Sequence, residues 1–249
     1  MLRFFNRIRK QLAKENKFFQ YSRYAIGEIL LVVIGILIAF QVDNWNEFRK
    51  IHSQDIEFLN NLKVELTVDI SALTRRKLQY QSINDNIKNT IALFDRGSPA
   101  LTSDEHQEIV SALSRFQIFS PIDKNVNRND LVIAQGTIDR IDKELNRQFL
   151  TYLQETLELN TAITKLGETL QQLEILQVHP NVDYNQIDPS APKVDFDFME
   201  IYKNRGVRNT LQRSFGYRRG YIADLTVKIE QAEKLIALID ALLDVADYK

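Results

Sequence analysis

Residues 29–40 read Ile-Leu-Leu-Val-Val-Ile-Gly-Ile-Leu-Ile-Ala-Phe, twelve apolar residues without a break. Nothing else in the chain limits its possible folds so sharply. Extended to Ala25 and Val42, the run covers about 27 Å as a helix, close to the roughly 30 Å of a bilayer's hydrocarbon layer. Glu28 is the one objection. The ten Leu, Ile, Val and Phe side chains of the run favour insertion by about 3–6 kcal/mol in sum. A carboxylate one turn inside the edge costs less than the roughly 2.5–3.5 kcal/mol of a central acid. The balance favours a transmembrane helix over 24–42.

The flanks agree. Tyr21 and Tyr24 precede the span and Trp45 follows it, where amphipathic rings anchor in the headgroup layer. Residues 1–24 carry seven basic residues against the single Glu15, a net +6. The whole chain stands at −1, with 32 Lys and Arg against 33 Asp and Glu, so the remainder is −7. This bias puts residues 1–23 in the cytoplasm and 43–249 on the far side, in the periplasm of an inner-membrane protein. A cleavable signal peptide is the competing reading, but Ile38–Val42 offers one small residue and no small-x-small site. Within 1–23, Phe4, Phe5, Ile8 and Leu12 share one helical face and Arg3, Arg7, Lys10 and Lys14 another. That basic amphipathic pattern suits the surface of anionic lipid better than nucleic acid.

The segment Tyr24–Glu47, with its Tyr-x-x-Gly-Glu, the Leu-Val-Val-Ile-Gly-Ile-Leu-Ile-Ala run and Asn44-Trp45-Asn46-Glu47, resembles the start of an uncharacterised family of single-span envelope proteins common in Bacteroidota. Asp43 stands where that family often has Asn. A weaker likeness covers Asn129–Gly136, which in the family leads into a helix. The resemblance implies an inner-membrane protein with a periplasmic helical domain, and it implies no activity.

With eight Gly, five Pro and no Cys, the chain is poor in turns and holds no disulfide or thiolate metal site. The expected class is all-α: one span, then an elongated antiparallel bundle with coiled-coil-like seams. Long helices are expected at about 43–96, 142–177 and 206–247 of the 43–249 domain. The first carries Leu59, Leu62, Leu66, Ile70, Leu73, Tyr80, Ile83, Ile87, Ile91 and Phe94 at helical spacing, and Gly97-Ser98-Pro99 stops it. The second carries Leu145, Phe149, Tyr152, Thr156, Leu159, Ile163, Leu166, Leu170 and Leu173. The third repeats by fours and threes through Leu211, Phe215, Arg218, Ile222, Leu225, Ile229, Ala232, Ile236, Ile239, Leu243 and Ala246. Thr102–Glu105 reads as a capping box, and 129–135 as a short helix stopped by Gly136. Up-down-up connection of the long helices turns 178–205 toward the membrane.

No catalytic, cofactor or metal motif is present. His52, His106 and His179 lack a partner at i+3 or i+4, and Asp183-x-Asn185-x-x-Asp188 lacks the Gly and Glu of a calcium loop. Three groups of residues remain as candidates. Glu28, Gly35 and Ala39 share one face of the span and suit helix association. Tyr21, Tyr24 and Trp45 are the interface anchors. Lys203, Arg205, Arg208, Arg213, Arg218 and Arg219 form the one basic cluster, a candidate contact for a polyanion or lipid headgroups. Gly216-x-x-x-Gly220 is expected to pack closely inside the bundle. The function expected is non-catalytic: a membrane-anchored periplasmic helical module that organises or binds protein partners in the cell envelope, its partners being membrane lipid, further copies of itself or a membrane protein, and not nucleic acid. The alternative is a ligand-sensing bundle acting through a separate membrane partner.

Overall fold

The computed structural model describes residues 18–96, 101–122, 136–178, 201 and 203–247, and side chains from residue 22 to residue 245 within these ranges. The basic segment 1–17, the Tyr21 and Ala246 side chains, Gly97–Pro99, the 129–135 helix and the 179–200 loop with His179 lie outside what is described. Those described are almost wholly helical, with no strand among them. Contacts divide the chain into two units, Met1–Glu57 and Phe58–Lys249.

One helix, α1 (Phe18–Arg96), belongs to both units. No Gly or Pro falls between residues 36 and 96, so nothing breaks its hydrogen-bond ladder. In the first unit it is the one described helix long and apolar enough to cross a membrane, and the apolar window is not buried at all. Ile29, Leu31, Ile36, Ile38 and Phe40 are all exposed.

The second unit is a helical bundle built on residues 58–96 of α1. The helix α2 (Ser103–Arg115) opens with the capping box expected. Thr102 Oγ1 accepts from the Glu105 backbone N–H at 3.2 Å, and the Thr102 N–H donates to Glu105 Oε2 at 2.9 Å. A helical stretch over 136–141 follows, then α3 (Lys143–Leu173), capped by Asp142 accepting from the Leu145 N–H at 2.7 Å. A π-helical turn, Glu174–Val178, extends α3. The last helix is α4 (Arg205–Asp247). Gly136 is itself helical and so is not the stop expected there.

The cross-links between helices give their directions. From α1 to α4 they run Lys63–Asp240, Asn84–Phe215 and Asp95–Arg208, so these two are antiparallel. From α1 to α3, Tyr152 reaches Asp69 beside a cluster joining Leu59, Leu62 and Leu66 to Leu145 and Phe149. Leu73 to Phe94 share a second cluster with Ile163 and Val178, so α3 runs parallel to α1. The up-down-up expectation fails here. The descending leg is made by the short pieces: Arg96–Glu105, Asn89–Glu108 and Asn86–Ser111 lead down α1, and Ser120 then meets Tyr80 and Arg76. Ile138 arrives in the cluster of Leu59 and Leu62. Consequently Arg205–Arg208 lie beside Asp95, at the end of the unit opposite Phe58, where the chain enters.

The α4 seam is also rotated from the one expected. The buried positions are Val207, Thr210, Leu211, Ser214, Arg218, Tyr221, Leu225, Lys228, Ala232, Leu235 and Ile239, while Phe215, Ile222, Ile229 and Ile236 are half-buried. The helix packs against both α1 and α3, so its buried midline falls between two apolar ridges and takes in four polar side chains. Gly216 and Gly220 consequently face open space, with nothing within 4 Å of a Cβ built on either, and do not pack inside the bundle. The close approach is at Gly206, where a Cβ would collide with Gln177 Oε1.

Candidate functional site

In the span unit, Glu28, Gly35 and Ala39 are exposed and a Cβ on Gly35 would meet nothing within 4 Å. Their spacing of seven and four residues places them on one side of α1. Tyr24 and Trp45 are exposed by 56% and 61%, and the Arg49 guanidinium lies 5.1 Å from the Trp45 ring centre. This cation–π contact holds a charge and an amphipathic ring together at the end of the apolar run. A second face escaped the sequence reading. Ile34, Leu37, Ile38, Gln41, Val42 and Trp45 line a shallow apolar groove of about 340 Å³. Their three- and four-residue spacing was available in the sequence, but a uniformly apolar run hides its own grooves.

The basic cluster does not survive as a unit. Lys203, Arg205, Arg213 and Arg219 are exposed and lack ion-pair partners among the described residues. Arg208 is paired with Asp95. Arg218 is fully buried and cannot reach a polyanion or a headgroup; as the polar member of an apolar seam it points inward, not outward.

Burying Arg218 creates the most distinctive site in the bundle. Its Nη2 donates to the carbonyls of Phe116 at 2.8 Å and Ile118 at 3.2 Å, and its Nη1 donates to Ser214 Oγ at 3.2 Å. Ser214 itself donates to the Phe116 carbonyl at 2.6 Å. The guanidinium also lies 4.5 Å from the Phe119 ring centre and 5.6 Å from that of Tyr80. The Tyr80 hydroxyl accepts from the Ser120 N–H at 2.9 Å, and Arg76 donates to the Ser120 carbonyl at 3.0 Å. Desolvation lowers the Arg218 pKa to about 10, opposed by Tyr80 and helped to a smaller extent by Arg115, so the side chain stays cationic at neutral pH. Its role is plain from the geometry. The chain leaves α2 in an irregular stretch whose carbonyls have no helical partner, and Arg218, Ser214 and Arg76 supply donors to them. Asn160 completes the fastening by bonding both the N–H and the carbonyl of Ile122, at 2.7 and 3.0 Å.

A second polar layer lies between the two apolar clusters. Lys228 Nζ donates to Glu155 Oε2 at 2.6 Å and to Gln231 Oε1 at 2.8 Å, and stands 5.7 Å from the Tyr152 ring centre. The Tyr152 hydroxyl donates to Asp69 Oδ2 at 3.2 Å. Hydrogen bonds from Lys228 and Gln231 hold Glu155 below the usual carboxylate range, and burial pushes Tyr152 up. Among the described residues no group of three or more His, Cys, Asp or Glu is placed to hold a metal ion. A bundle pocket lined by Arg147, Gln148, Thr151, Gln231, Lys234 and Leu235 is about 120 Å³. That is well below the several hundred Å³ of a usual small-molecule site.

No curated protein and no solved structure matches the chain. Residues 28–94, all within α1, match the model of DUF6090, a family of unknown function. The resemblance seen at Tyr24–Glu47 is in keeping with this match to an uncharacterised family.

Proposed function

We propose that the chain is a non-catalytic module of the bacterial inner membrane, held by residues 24–42 with residues 1–23 in the cytoplasm. Its antiparallel-seamed bundle then stands in the periplasm and binds or organises protein partners there. The observation that carries this reading is the span unit. An apolar helix bears Glu28, Gly35 and Ala39 on one side, and all three are exposed among the described residues. A carboxylate facing lipid is costly, so a second helix, from another copy or from a membrane protein, is the natural covering. A reporter assay of span association in membranes tests it. Glu28→Leu and Gly35→Leu lower the signal well below wild type, and equal signals from all three would refute the reading.

The four free basic residues, Lys203, Arg205, Arg213 and Arg219, keep a secondary place as contacts for an envelope polyanion. Ligand sensing remains the alternative, and one observation favours it: the bundle interior carries charged layers at Arg218 and Lys228, more than packing alone requires.

A further inference from the structure

The geometry points to a small inorganic anion of halide size bound inside the bundle, between α1 and α4, by Arg218 Nε and the Tyr221 hydroxyl. Both groups are buried and both lack a hydrogen-bond partner. Arg218 is 0% exposed and Tyr221 2%. They stand three residues apart on one face of α4, and both lie against Tyr80, with Tyr221 ring centre to ring centre at 5.3 Å and Arg218 at 5.6 Å. Buried donors in native proteins are nearly always paired, and an orphan signals a water or an ion.

Three features favour an anion. First, Arg218 Nε can only donate and the Tyr221 hydroxyl has a proton to donate, so an acceptor between them would satisfy both. Second, among the described residues no carboxylate pairs with Arg218; its partners there are two carbonyls, a hydroxyl and two ring faces, all neutral. A buried charge without a counterion is rare. Third, the other charges close to Arg218 add to the imbalance: Arg76 is held on the Ser120 carbonyl, and Arg115 acts on Arg218 electrostatically. Asp224, the carboxylate that acts on Tyr221, has its own pKa raised by burial and makes no ion pair with Arg218. Tyr80, Ile83, Phe116, Leu211 and Leu225, which share a cluster with Tyr221, are fully buried too. With Arg218 and Tyr221 both enclosed, the occupant proposed is of atomic size and not a carboxylate or phosphate. A water molecule is the competing occupant, because Asn84 Oδ1, one turn along α1 from Tyr80, is an unpaired acceptor.

Thermal unfolding of the full-length protein in detergent separates the two, with potassium gluconate exchanged for potassium chloride or bromide at constant ionic strength. A bound halide raises Tm saturably, by about 3–5 °C at tenfold excess over Kd. Tyr221→Phe removes most of that dependence. Chloride-35 NMR on the wild-type protein gives a readout independent of the variant's folding, since a buried ion in exchange broadens the line. A Tm indifferent to halide, or a line no broader than with buffer alone, would overturn the proposal, as would an undiminished halide effect in Tyr221→Phe.

Discussion

Arg218→Met takes away the guanidinium while keeping most of the side chain's length and apolar volume. Wild-type Arg218 supplies two charge-assisted bonds to main-chain carbonyls and one to Ser214. Bonds to charged groups contribute about 1.5–3 kcal/mol each, but relief of the buried charge offsets part of their loss. The two carbonyls differ in what they lose. Phe116 O keeps the Ser214 hydroxyl at 2.6 Å, whereas Ile118 O has no second donor in the side-chain network. One orphaned carbonyl and a lost clasp give a net destabilisation of about 2–3 kcal/mol. In a unit of this size that lowers Tm by about 4–12 °C. Ser214→Ala alone costs about 1 kcal/mol, because Arg218 still serves Phe116 O. The double variant strips both donors from that carbonyl, so it exceeds the sum of the single effects by about 1 kcal/mol. Urea unfolding of the full chain in detergent, followed by circular dichroism, measures all four corners. A Met variant as stable as wild type, or strictly additive single effects, would refute the assignment of Arg218 as the fastener of the 116–118 carbonyls.

Gly216→Ala and Gly220→Ala each raise stability by about 0.5–1 kcal/mol in the same assay, since each Cβ enters open space in mid-helix; a loss in either would mean that face is covered. Glu105 and Glu144 have their pKa values lowered to about 2 by Arg96 and Arg147 respectively, with Thr102 and Gln148 assisting. A lowered carboxylate contributes stability that is whole above the unfolded value of about 4.3 and lost as pH falls through about 2. Tm therefore declines between about pH 4.5 and 2, modestly because both pairs are exposed to solvent screening. Glu105→Gln shows a shallower decline, and an unchanged slope would count against the capping-box pair as its source.

Much of the helical layout was legible in the sequence, because it rests on local signals. The Leu59–Phe94 stripe, the Thr102 capping box, the start of α3 at Asp142 and the extent of α4 all follow from spacing and cap chemistry within a few residues. Direction and inwardness were not legible. Nothing local states that α2 and the 116–122 stretch together make a full return leg, since the fasteners, Arg76, Asn160, Ser214 and Arg218, come from three different helices. The α4 seam shows the same limit. Counting apolar residues favours Phe215 and Ile222, but a helix that touches two neighbours buries the strip between its ridges, and that strip holds Ser214 and Tyr221. For Arg218 one signal was present: it was the single polar member of the expected heptad, and a charge at such a position reads more readily as an internal clasp than as part of a surface patch.

The pairing of Lys63 with Asp240 has a consequence for how the molecule is made. The apolar stripe of residues 59–94 finds part of its cover only in α4, which is synthesised more than a hundred residues later. At about 5–20 residues per second, the interval between finishing α1 and finishing its partner is on the order of ten seconds. Throughout that wait the nascent stripe is exposed and prone to stick to other chains, so a holding chaperone is needed on whichever side of the bilayer the stripe first emerges. A stop codon before residue 205 would leave the part of the stripe that α4 covers permanently bare, which makes truncated products targets for proteolysis and not partially working modules.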